Sequence, residues 1–258
     1  MKIIILAAGE GTRLRPYTEE LPKCMVKLKE HSLLSYQLSS IRKCDIPEKN
    51  IALVGGYKIE CLDNFNLKTY ENPNYSSTNM VSTLFCANDF MEQDQDLIIS
   101  YGDIVYEEKV LRTLMDSDAE VSVIADKDWE RLWRLRMSNP LDDVETFIMQ
   151  DNLLIEELGN KPKSLSQIQA QYIGLIKVRG DKICQLQELY HQIDKNIIFN
   201  GQDFENMYMT SFIQILIDSN WEVKASLISN GWLEVDTIED LHSYEKISKE
   251  LLDSYCSL

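Results

Sequence analysis

The chain has 258 residues, enough for one large α/β domain or two small ones, and its 44% hydrophobic and 26% charged residues are ordinary for a globular protein. Its formal net charge of −16 disfavours nucleic acid and anionic membranes as partners, because both bind basic faces. Apolar stretches are too short to span a membrane, and residues 1–6 have the pattern of a core strand rather than of a signal peptide, so we expect a cytoplasmic protein.

The first half of the chain alternates apolar runs with amphipathic segments, which predicts βαβ units and a mainly parallel sheet. The strand-like runs cover residues 3–6, 51–54, 97–101 and 121–125, and the amphipathic segments cover residues 33–44, 81–90 and 110–115. Residues 72–78 form a polar loop whose Asn, Pro and Ser residues are suited to opening a helix.

After residue 140 the pattern changes to one that predicts a mixed sheet beside the first. Residues 147–158 predict a hairpin through Asp151-Asn152, 171–178 a strand, 204–219 a helix, the flanks of Asn230-Gly231 two strands, and 239–252 a closing helix. No internal repeat or Pro/Gly/Ser-rich linker interrupts the chain. We therefore expect one domain over residues 1–258, with lobes of about 1–126 and 127–230 and a closing segment of 231–258.

The first strand runs into a glycine turn and then into cations. Small residues at 7, 8, 9 and 11 remove side-chain bulk, so a phosphate chain can approach the backbone amides. Thr12 can donate a hydroxyl hydrogen bond, Arg13 supplies a planar fork of donors, and Lys23 supplies a mobile point charge. This order of residue types predicts a triphosphate-binding loop.

Two better-known glycine loops fit these residues less well. The Gly-Lys-Ser/Thr ending of a Walker loop is missing, and Leu14 stands where the dinucleotide fingerprint has its third glycine. The sequence therefore disfavours both P-loop hydrolysis and hydride transfer.

The run Leu6-Ala-Ala-Gly-Glu-Gly-Thr-Arg13-Leu-Arg-Pro-Tyr-Thr18, followed by Pro22-Lys23, resembles the signature of nucleotidyltransferases that make sugar nucleotides and CDP-activated small molecules. The resemblance implies the nucleotide-diphospho-sugar transferase fold: a mixed, mainly parallel Rossmann-like central sheet flanked by helices, with a smaller acceptor-binding lobe. It makes Arg13 and Lys23 the catalytic residues. The implied nucleotide-binding residues are Leu6, Ala8, Gly9, Glu10, Gly11, Thr12, Thr78, Asn79, Ser82 and Gly102.

Three carboxylates are candidate ligands of Mg²⁺, which prefers hard oxygen atoms and can also hold substrate phosphates. Asp103 follows the predicted strand 97–101, at the edge where open α/β sheets bind ligands. Glu234 and Asp236 are two residues apart on a predicted strand, which places them on one face. These positions match the metal-binding acidic residues of the resembling family. A turn aspartate is the alternative for Asp103, and a solvated edge carboxylate the alternative for Glu234.

Residues 74–82, Asn-Tyr-Ser-Ser-Thr-Asn-Met-Val-Ser, resemble a segment of the cytidylyltransferase branch of this family. The resemblance places Thr78 and Asn79 near the nucleotide, where hydroxyl and amide groups can read a base edge. The alternative is that these residues cap the following helix.

The predicted acceptor-binding residues come from the second lobe: Trp129, Arg131, Arg136, Lys161 and Tyr172. The segment 128–136 interleaves two indoles with three guanidinium groups, which could hold a phosphate and a cationic amine. Trp129 and Trp133 are four residues apart, so a buried stripe under a lid or dimer surface is the equal alternative. Lys161-Pro162 resembles the family element that reaches the acceptor phosphate.

Together the resemblances imply an Mg²⁺-dependent cytidylyltransferase that transfers CMP from CTP to the phosphate of a small phosphorylated amino compound and releases pyrophosphate. Residues 139–143, 171–174 and 207–211 are most similar to phosphoglutamine cytidylyltransferases of bacterial capsule decoration, which favours phosphoglutamine, then phosphocholine or aminoethylphosphonate. The expected partners are CTP, the acceptor and Mg²⁺, with a homodimer as a candidate assembly. Two alternatives stay open: a sugar-1-phosphate nucleotidyltransferase that uses UTP or dTTP, and a non-catalytic nucleotide-binding regulatory subunit.

Overall fold

The computed structural model describes all residues from 1 to 258. Its strands are β1 (Lys2–Ala7), β2 (Lys27–Leu28), β3 (His31–Ser32), β4 (Ile51–Gly55), β5 (Lys68–Glu71), β6 (Leu97–Tyr101), β7 (Ile104–Tyr106), β8 (Val121–Asp126), β9 (Phe147–Met149), β10 (Ile155–Leu158), β11 (Gln171–Val178), β12 (Val223–Ile228) and β13 (Trp232–Glu234). Its helices are α1 (Leu33–Lys43), α2 (Met80–Phe85), α3 (Glu108–Met115), α4 (Trp129–Arg136), α5 (Ile183–Gln192), α6 (Met209–Asp218), α7 (Ile238–Lys246) and α8 (Lys249–Asp253).

A seven-stranded sheet in the order β12-β8-β11-β6-β1-β4-β5 forms the centre of the molecule. β11 pairs antiparallel with both β6 and β8, and every other pairing in this sheet is parallel. The sheet is therefore mixed and mainly parallel, which confirms the predicted fold class. No helix is long and apolar enough to cross a bilayer.

Both faces of the sheet are covered, which explains why its central strands are continuous apolar runs. In β1 every residue is buried, with Ile3 and Ile5 in one hydrophobic core and Ile4 and Leu6 in the other. One core is closed by α1, α3, α4, α7 and α8, and the other by α2, α5 and α6. The central strand therefore joins two separate apolar layers.

The carboxyl half departs from the sequence prediction in one respect. The prediction of a separate mixed sheet is wrong, because β11 and β12 join the central sheet. The β9–β10 hairpin and the β13–β7 pair form small two-stranded sheets. The predicted boundary near residue 126 thus falls inside one sheet, between β8 and the strands that pair with it.

Two predicted helices have different bounds in the structure. The helix expected from residue 204 begins at Met209, because Asp203 forms a turn by accepting hydrogen bonds from Asn206. The closing helix is two helices, since the chain is extended at Ile247 and Ser248 caps a new helix.

The short pairing of β13 with β7 brings the end of the chain to the site. Trp232, Leu233 and Glu234 pair antiparallel with Tyr106, Val105 and Ile104. The backbone then continues so that the Val235 N–H donates to the Asp103 carbonyl at 3.0 Å. Acidic residues more than 130 positions apart in sequence thereby meet at the carboxyl edge of β6.

β11 is regular along only part of its length. It pairs with β6 from Leu175 to Val178, and its register against β8 shifts between Tyr172 and Ile176. Gly174, inside that shift, has φ of +85°, and a Cβ there would lie 2.6 Å from the ring of Tyr101. The bulge therefore requires glycine and turns the first half of β11 away from a standard ladder.

Candidate active site

The loop after β1 is folded tightly back on itself. Gly11 is in the left-handed region, with φ of +65°, and its carbonyl accepts hydrogen bonds from the Leu14 N–H and the Thr18 hydroxyl. The Lys23 N–H donates to the Gly9 carbonyl at 3.2 Å. This second contact places the lysine beside the glycine turn.

Gly102 allows the ends of two neighbouring strands to approach. A Cβ at this position would lie 2.5 Å from the Leu6 carbonyl oxygen, so any side chain would separate β1 from the turn after β6. The close approach puts Asp103 next to the glycine loop.

Lys23 lies between two aspartates. Its Nζ is 2.6 Å from Asp103 Oδ2 and 2.5 Å from Asp236 Oδ1, and the other Asp236 oxygen is 2.5 Å from Arg13 Nη2. Burial of Lys23 disfavours its ammonium, but attraction to Asp103, Asp236 and Glu234 outweighs this and raises its pKa. Burial likewise disfavours the Asp236 carboxylate, yet Lys23 and Arg13 hold its pKa below the ordinary value. Lys23 and Asp236 are therefore both charged at neutral pH.

The donor set fits a magnesium ion that is shared with substrate phosphates. Asp103 Oδ1 is buried and has no hydrogen-bond partner, which leaves one hard oxygen free beside the Lys23 contact. Asp236 contacts the same ammonium, so the two carboxylates are close enough to share one cation. No three His, Cys, Asp or Glu side chains are grouped so that they could hold a metal by themselves. Mg²⁺ commonly takes one or two carboxylates and completes its shell with phosphates and water.

Glu234 and Asp236 have different ion-pair partners. β13 ends at Glu234, and its carboxylate is paired with Arg136 rather than with Lys23. Burial raises the pKa of Glu234 to about 7, with the attraction of Arg136 opposing the rise and repulsion from Asp103 and Asp236 adding to it. The predicted metal role of Glu234 therefore competes with an existing ion pair, whereas Asp103 and Asp236 share Lys23.

A cavity of about 250 Å³ opens over the glycine loop. It is lined by Leu6, Ala7, Ala8, Gly9, Gly11, Thr12, Arg13, Lys23, Cys24, Tyr75, Thr78, Asn79, Met80, Thr83, Tyr101, Gly102, Asp103 and Asp236. We call it the nucleotide cavity. Two of the predicted nucleotide-binding residues are not part of its lining: Glu10 is ion-paired with Arg15, and the Ser82 hydroxyl donates to the Glu205 carbonyl.

Thr78 and Asn79 line the cavity and also hold its wall. The Asn79 side chain caps α2 by accepting from the Met80 N–H, and the Thr78 hydroxyl donates to the Asn74 carbonyl. Asn79 therefore caps α2, as the alternative interpretation predicted, and both Thr78 and Asn79 also line the nucleotide cavity.

A second cavity, of about 170 Å³, shares Met80 and Tyr101 with the first. Its other lining residues are Trp133, Asp143, Glu145, Gln171, Tyr172, Ile173, Gly174, Tyr208, Met209, Thr210, Trp232 and Glu234. We call it the second cavity. It combines three carboxyl groups with four aromatic side chains besides the shared Tyr101.

Two polar groups in the second cavity are held away from water. Burial, and then repulsion by Asp143, raises the pKa of Glu145 to about 7. The Tyr172 hydroxyl is buried without a hydrogen-bond partner. Trp133 is held in place by donating from its ring nitrogen to Asp143 at 2.9 Å. The cavity therefore has a fixed aromatic wall and polar groups available to a ligand.

Of the five residues predicted to bind the acceptor, Tyr172 alone lines the second cavity. Trp129 is buried beneath α4 with its ring edge-on to Trp133, and Arg131 stacks on Tyr255 while it contacts Ser254. Lys161 donates to the carbonyls of Leu141 and Asp142.

Arg136, the fifth, is buried in ion pairs with Glu234 and Asp240. The structure therefore assigns Trp129 and Arg136 to packing and ion pairing rather than to the cavity wall.

Sequence reasoning missed most of the second cavity, although a signal was present. The segments 139–143, 171–174 and 207–211, singled out by resemblance, supply Asp143, residues 171–174 and residues 208–210 of its lining. Glu145, Trp232 and Tyr101 carried no signal, because their convergence depends on the sheet topology.

The glycine loop at the carboxyl edge of a mainly parallel sheet, with Lys23 and Arg13 facing two aspartates, defines an enzyme that handles nucleoside triphosphates, a nucleotidyltransferase. Residues 3–158 match the MobA-like NTP transferase domain, more than half of the chain. The chain belongs to this family, which confirms the resemblance drawn from the glycine motif.

Known relatives agree with this assignment. Over 251 residues the chain is 43% identical to the CTP:phosphoglutamine cytidylyltransferase of Campylobacter jejuni, covering 93% of this chain and 98% of that protein. Among solved structures, the inositol-1-phosphate CTP transferase of T. maritima superposes with a TM-score of 0.75 at 16% identity, covering 99% of this chain and 95% of that one. The CTP:phosphocholine cytidylyltransferase of Streptococcus pneumoniae gives 0.68 at 18% identity, covering 95% and 97%. The two superpositions establish the fold.

Proposed function

We propose that this enzyme is a cytidylyltransferase that transfers CMP from CTP to the phosphate of a small phosphorylated amino compound, with phosphoglutamine as the favoured acceptor. The observation that carries the proposal is the cluster of Lys23, Asp103 and Asp236 in the nucleotide cavity, which adjoins the second cavity at Met80 and Tyr101. Adjoining cavities allow an acceptor phosphate to reach the α-phosphate of a bound nucleotide.

In the proposed reaction an acceptor phosphate oxygen attacks the α-phosphorus of CTP, a new P–O bond forms, and the bond to pyrophosphate breaks. The chain has to position the reactants and neutralise charge. The amides of residues 8–11 are suited to the triphosphate, and the small side chains there leave the backbone accessible. Lys23 would stabilise charge on the α-phosphate, and Arg13 would hold the departing pyrophosphate.

Asp103 and Asp236 would hold Mg²⁺, whose contribution is to neutralise phosphate charge. In their present positions these carboxylates neutralise Lys23 and Arg13 instead. Binding of a metal-loaded nucleotide would let both cations turn from carboxylate to phosphate. Without substrate, the two cations and the two carboxylates of the cluster balance each other.

The second cavity supports an acceptor that carries an ammonium group. Asp143 and Glu145 supply negative charge, whereas Glu234 is already paired with Arg136. Aromatic faces such as those of Trp133 and Trp232 can attract a cation. The lining contains no lysine or arginine, so its charge is suited to an amine. The choice of phosphoglutamine rests on the relative of that name, with which this chain shares 43% identity along nearly all of its length.

The proposal is tested by pyrophosphate release with Mg²⁺, using CTP, UTP, dTTP, ATP and GTP against phosphoglutamine, phosphocholine, aminoethylphosphonate and glucose-1-phosphate. We expect turnover with CTP and phosphoglutamine, and no release when the acceptor is omitted. EDTA should abolish the signal and added Mg²⁺ restore it.

Other patterns in this panel contradict the proposal in distinguishable ways. Turnover with UTP or dTTP and the sugar phosphate would identify a sugar-nucleotide enzyme. Turnover with CTP and phosphocholine would keep the reaction and change the acceptor. Nucleotide binding without release for any acceptor would favour a regulatory subunit.

A further inference from the structure

Arg136 occupies an unusual position for a charged residue. Its side chain is 3% exposed, at the end of α4, and it contacts two carboxylates that come from different elements. Nη1 reaches Glu234 Oε2 at the end of β13, while Nε donates to Asp240 Oδ1 of α7 at 2.9 Å. A single guanidinium therefore ties α4, β13 and α7 together.

Asp240 connects Arg136 to the backbone around Asp236, because its carboxylate accepts hydrogen bonds from both. Its Oδ2 accepts from the Asp236 N–H at 2.8 Å and from the Thr237 N–H at 2.9 Å, and it also accepts from Arg136 Nη2 at 3.3 Å. The Thr237 side chain completes a capping box by accepting from the Asp240 N–H. The turn that presents Asp236 to Lys23 is thus held by a carboxylate whose own partner is Arg136.

We propose that Arg136 is a positioning residue that sets the place of Asp236 in the nucleotide cavity and of Glu234 in the second cavity, through Asp240 and the β13 end. This inference rests on the proposed function, because it assigns Asp236 to metal-bound nucleotide. A catalytic arginine at this position is ruled out by geometry, since Arg136 lines neither cavity and its donors face carboxylates.

The guanidinium matters here for its shape as well as its charge. Arginine can donate to two carboxylates at once from a rigid plane, whereas a lysine ammonium on a flexible stem cannot reproduce both contacts. Arg136→Lys keeps the charge and most of the packing while it loosens the geometry. It therefore separates positioning from simple neutralisation.

The experiment compares Arg136→Lys with Arg134→Lys, a matched change on the same helix. Arg134 is exposed and paired with Glu130 one turn away, so its replacement tests for helix effects alone. Asp240→Asn serves as a second variant, because it breaks the contact from the other side. Affinity for CTP is measured by calorimetry with and without Mg²⁺, and amide hydrogen exchange is measured for peptides that cover residues 235–238.

We expect Arg136→Lys and Asp240→Asn to reduce the Mg²⁺-dependent gain in CTP affinity by about 10- to 100-fold, the range seen for outer partners of metal ligands. Affinity without Mg²⁺ should stay within about twofold of wild type, because residues 8–12 are untouched. Exchange at residues 236 and 237 should accelerate, since those amides lose a fixed acceptor. Arg134→Lys should match wild type in all three measurements.

Wild-type exchange and an unchanged Mg²⁺ effect in Arg136→Lys, with a lower melting temperature, would overturn the inference and leave a purely structural ion cluster. Failure of the proposed function gives a different pattern: wild type would bind another nucleotide in place of CTP. The exchange measurement does not depend on which nucleotide binds, and the metal comparison is then made with the nucleotide that wild type prefers.

Discussion

The nucleotide cavity and the second cavity share two lining residues, yet they differ in how much of the lining comes from one continuous segment of the chain. Residues 6–24 supply nine of the eighteen residues around the nucleotide cavity, and four of these nine are alanine or glycine, whose small size leaves the backbone accessible. No stretch supplies more than four of the fourteen residues around the second cavity, and Gly174 is the one glycine among them. The first cavity is thus a local property of one loop, while the second depends on how distant segments pack.

The same contrast appears in the charges. In the nucleotide cavity two cations face two carboxylates within ion-pair distance, and the cluster is neutral. In the second cavity no lysine or arginine lines the wall, and only Glu234 among the three carboxyl groups is ion-paired, with Arg136 outside the lining. Burial raises the pKa of Glu145 and of Glu234. Changes at the first cavity should therefore act on chemistry, and changes at the second on acceptor affinity and on pH dependence.

Replacement of Lys23 gives the largest expected effect. Lys23→Met keeps the aliphatic stem but removes the cation, so we expect kcat to fall by about 10²–10³-fold, the typical loss of one transition-state donor. Pyrophosphate release under saturating substrates measures this, and Lys27→Met, an exposed neighbour, serves as the control. Near wild-type turnover in Lys23→Met would remove the lysine from the mechanism.

Asp236→Asn should mainly change the metal requirement. We expect the Mg²⁺ concentration for half-maximal activity to rise by about 10-fold or more, because even outer partners of metal ligands give 10- to 100-fold effects. A Mg²⁺ titration at fixed CTP measures the shift, with Asp151→Asn in the β9–β10 turn as the matched control. An unchanged titration, with only a lower kcat, would limit Asp236 to its pairing with Lys23.

Glu145 should give the second cavity a pH dependence. Its pKa is raised to about 7, so the carboxylate that attracts an ammonium forms as the pH rises through neutrality. We expect the KM for an amino-bearing acceptor to fall by several-fold between about pH 6 and pH 8 in wild type, and Glu145→Gln to flatten the profile. Glu156→Gln, on the exposed side of the hairpin, should keep the wild-type profile. A profile that is unchanged in Glu145→Gln would assign the titration to another group.

The raised pKa of Glu145 also affects stability: acceptor binding should improve as the pH rises, whereas the free energy of unfolding should fall. The folded state binds the Glu145 proton more tightly than the unfolded chain does, so wild type loses stability as the pH rises from 4.5 to about 7. Glu145→Gln lacks this loss, and we expect it to be more stable than wild type above pH 7, by on the order of 1 kcal/mol. Chemical denaturation at pH 5 and pH 8 measures the difference, which should be much smaller at pH 5 than at pH 8.

Arg131 should give the smallest effect. It contacts Ser254 and stacks on Tyr255, and it lines neither cavity, so Arg131→Ala should leave the acceptor KM within about twofold of wild type. Loss of an exposed cation–π contact should lower stability by about 0.5–1 kcal/mol. A large rise in acceptor KM would return Arg131 to the acceptor role that the sequence predicted for it.

These regions also differ in how well the sequence predicted them. β6 and β11 were predicted with their observed bounds because strands buried on both faces are continuous apolar runs. The glycine loop could also be predicted from the sequence, because the residues that form it are close together in the chain. The Gly102-Asp103 pair followed from the rule that ligands bind beyond the carboxyl ends of parallel strands.

The second cavity was less predictable for a physical reason. Trp129 and Trp133 lie on one helical stripe, and sequence alone could not tell that Trp133 lines the cavity while Trp129 is buried beneath it. Arg136 meets Glu234 and Asp240 across 98 and 104 residues, a contact that no local pattern encodes. Side chains that converge through topology need the fold before their roles can be assigned.

The two halves of the irregular strand β11 have different surroundings in the structure. Leu175–Val178 pair with β6 in a regular antiparallel register within the central sheet. Residues 171–174 lie before that pairing begins and form part of the second cavity wall. For the proposed reaction, we therefore expect changes at Gln171, Tyr172 or Ile173 to act on acceptor fit while the pairing of β11 with β6 stays intact. A single strand thus contributes to the central sheet with one half and to the wall of the second cavity with the other.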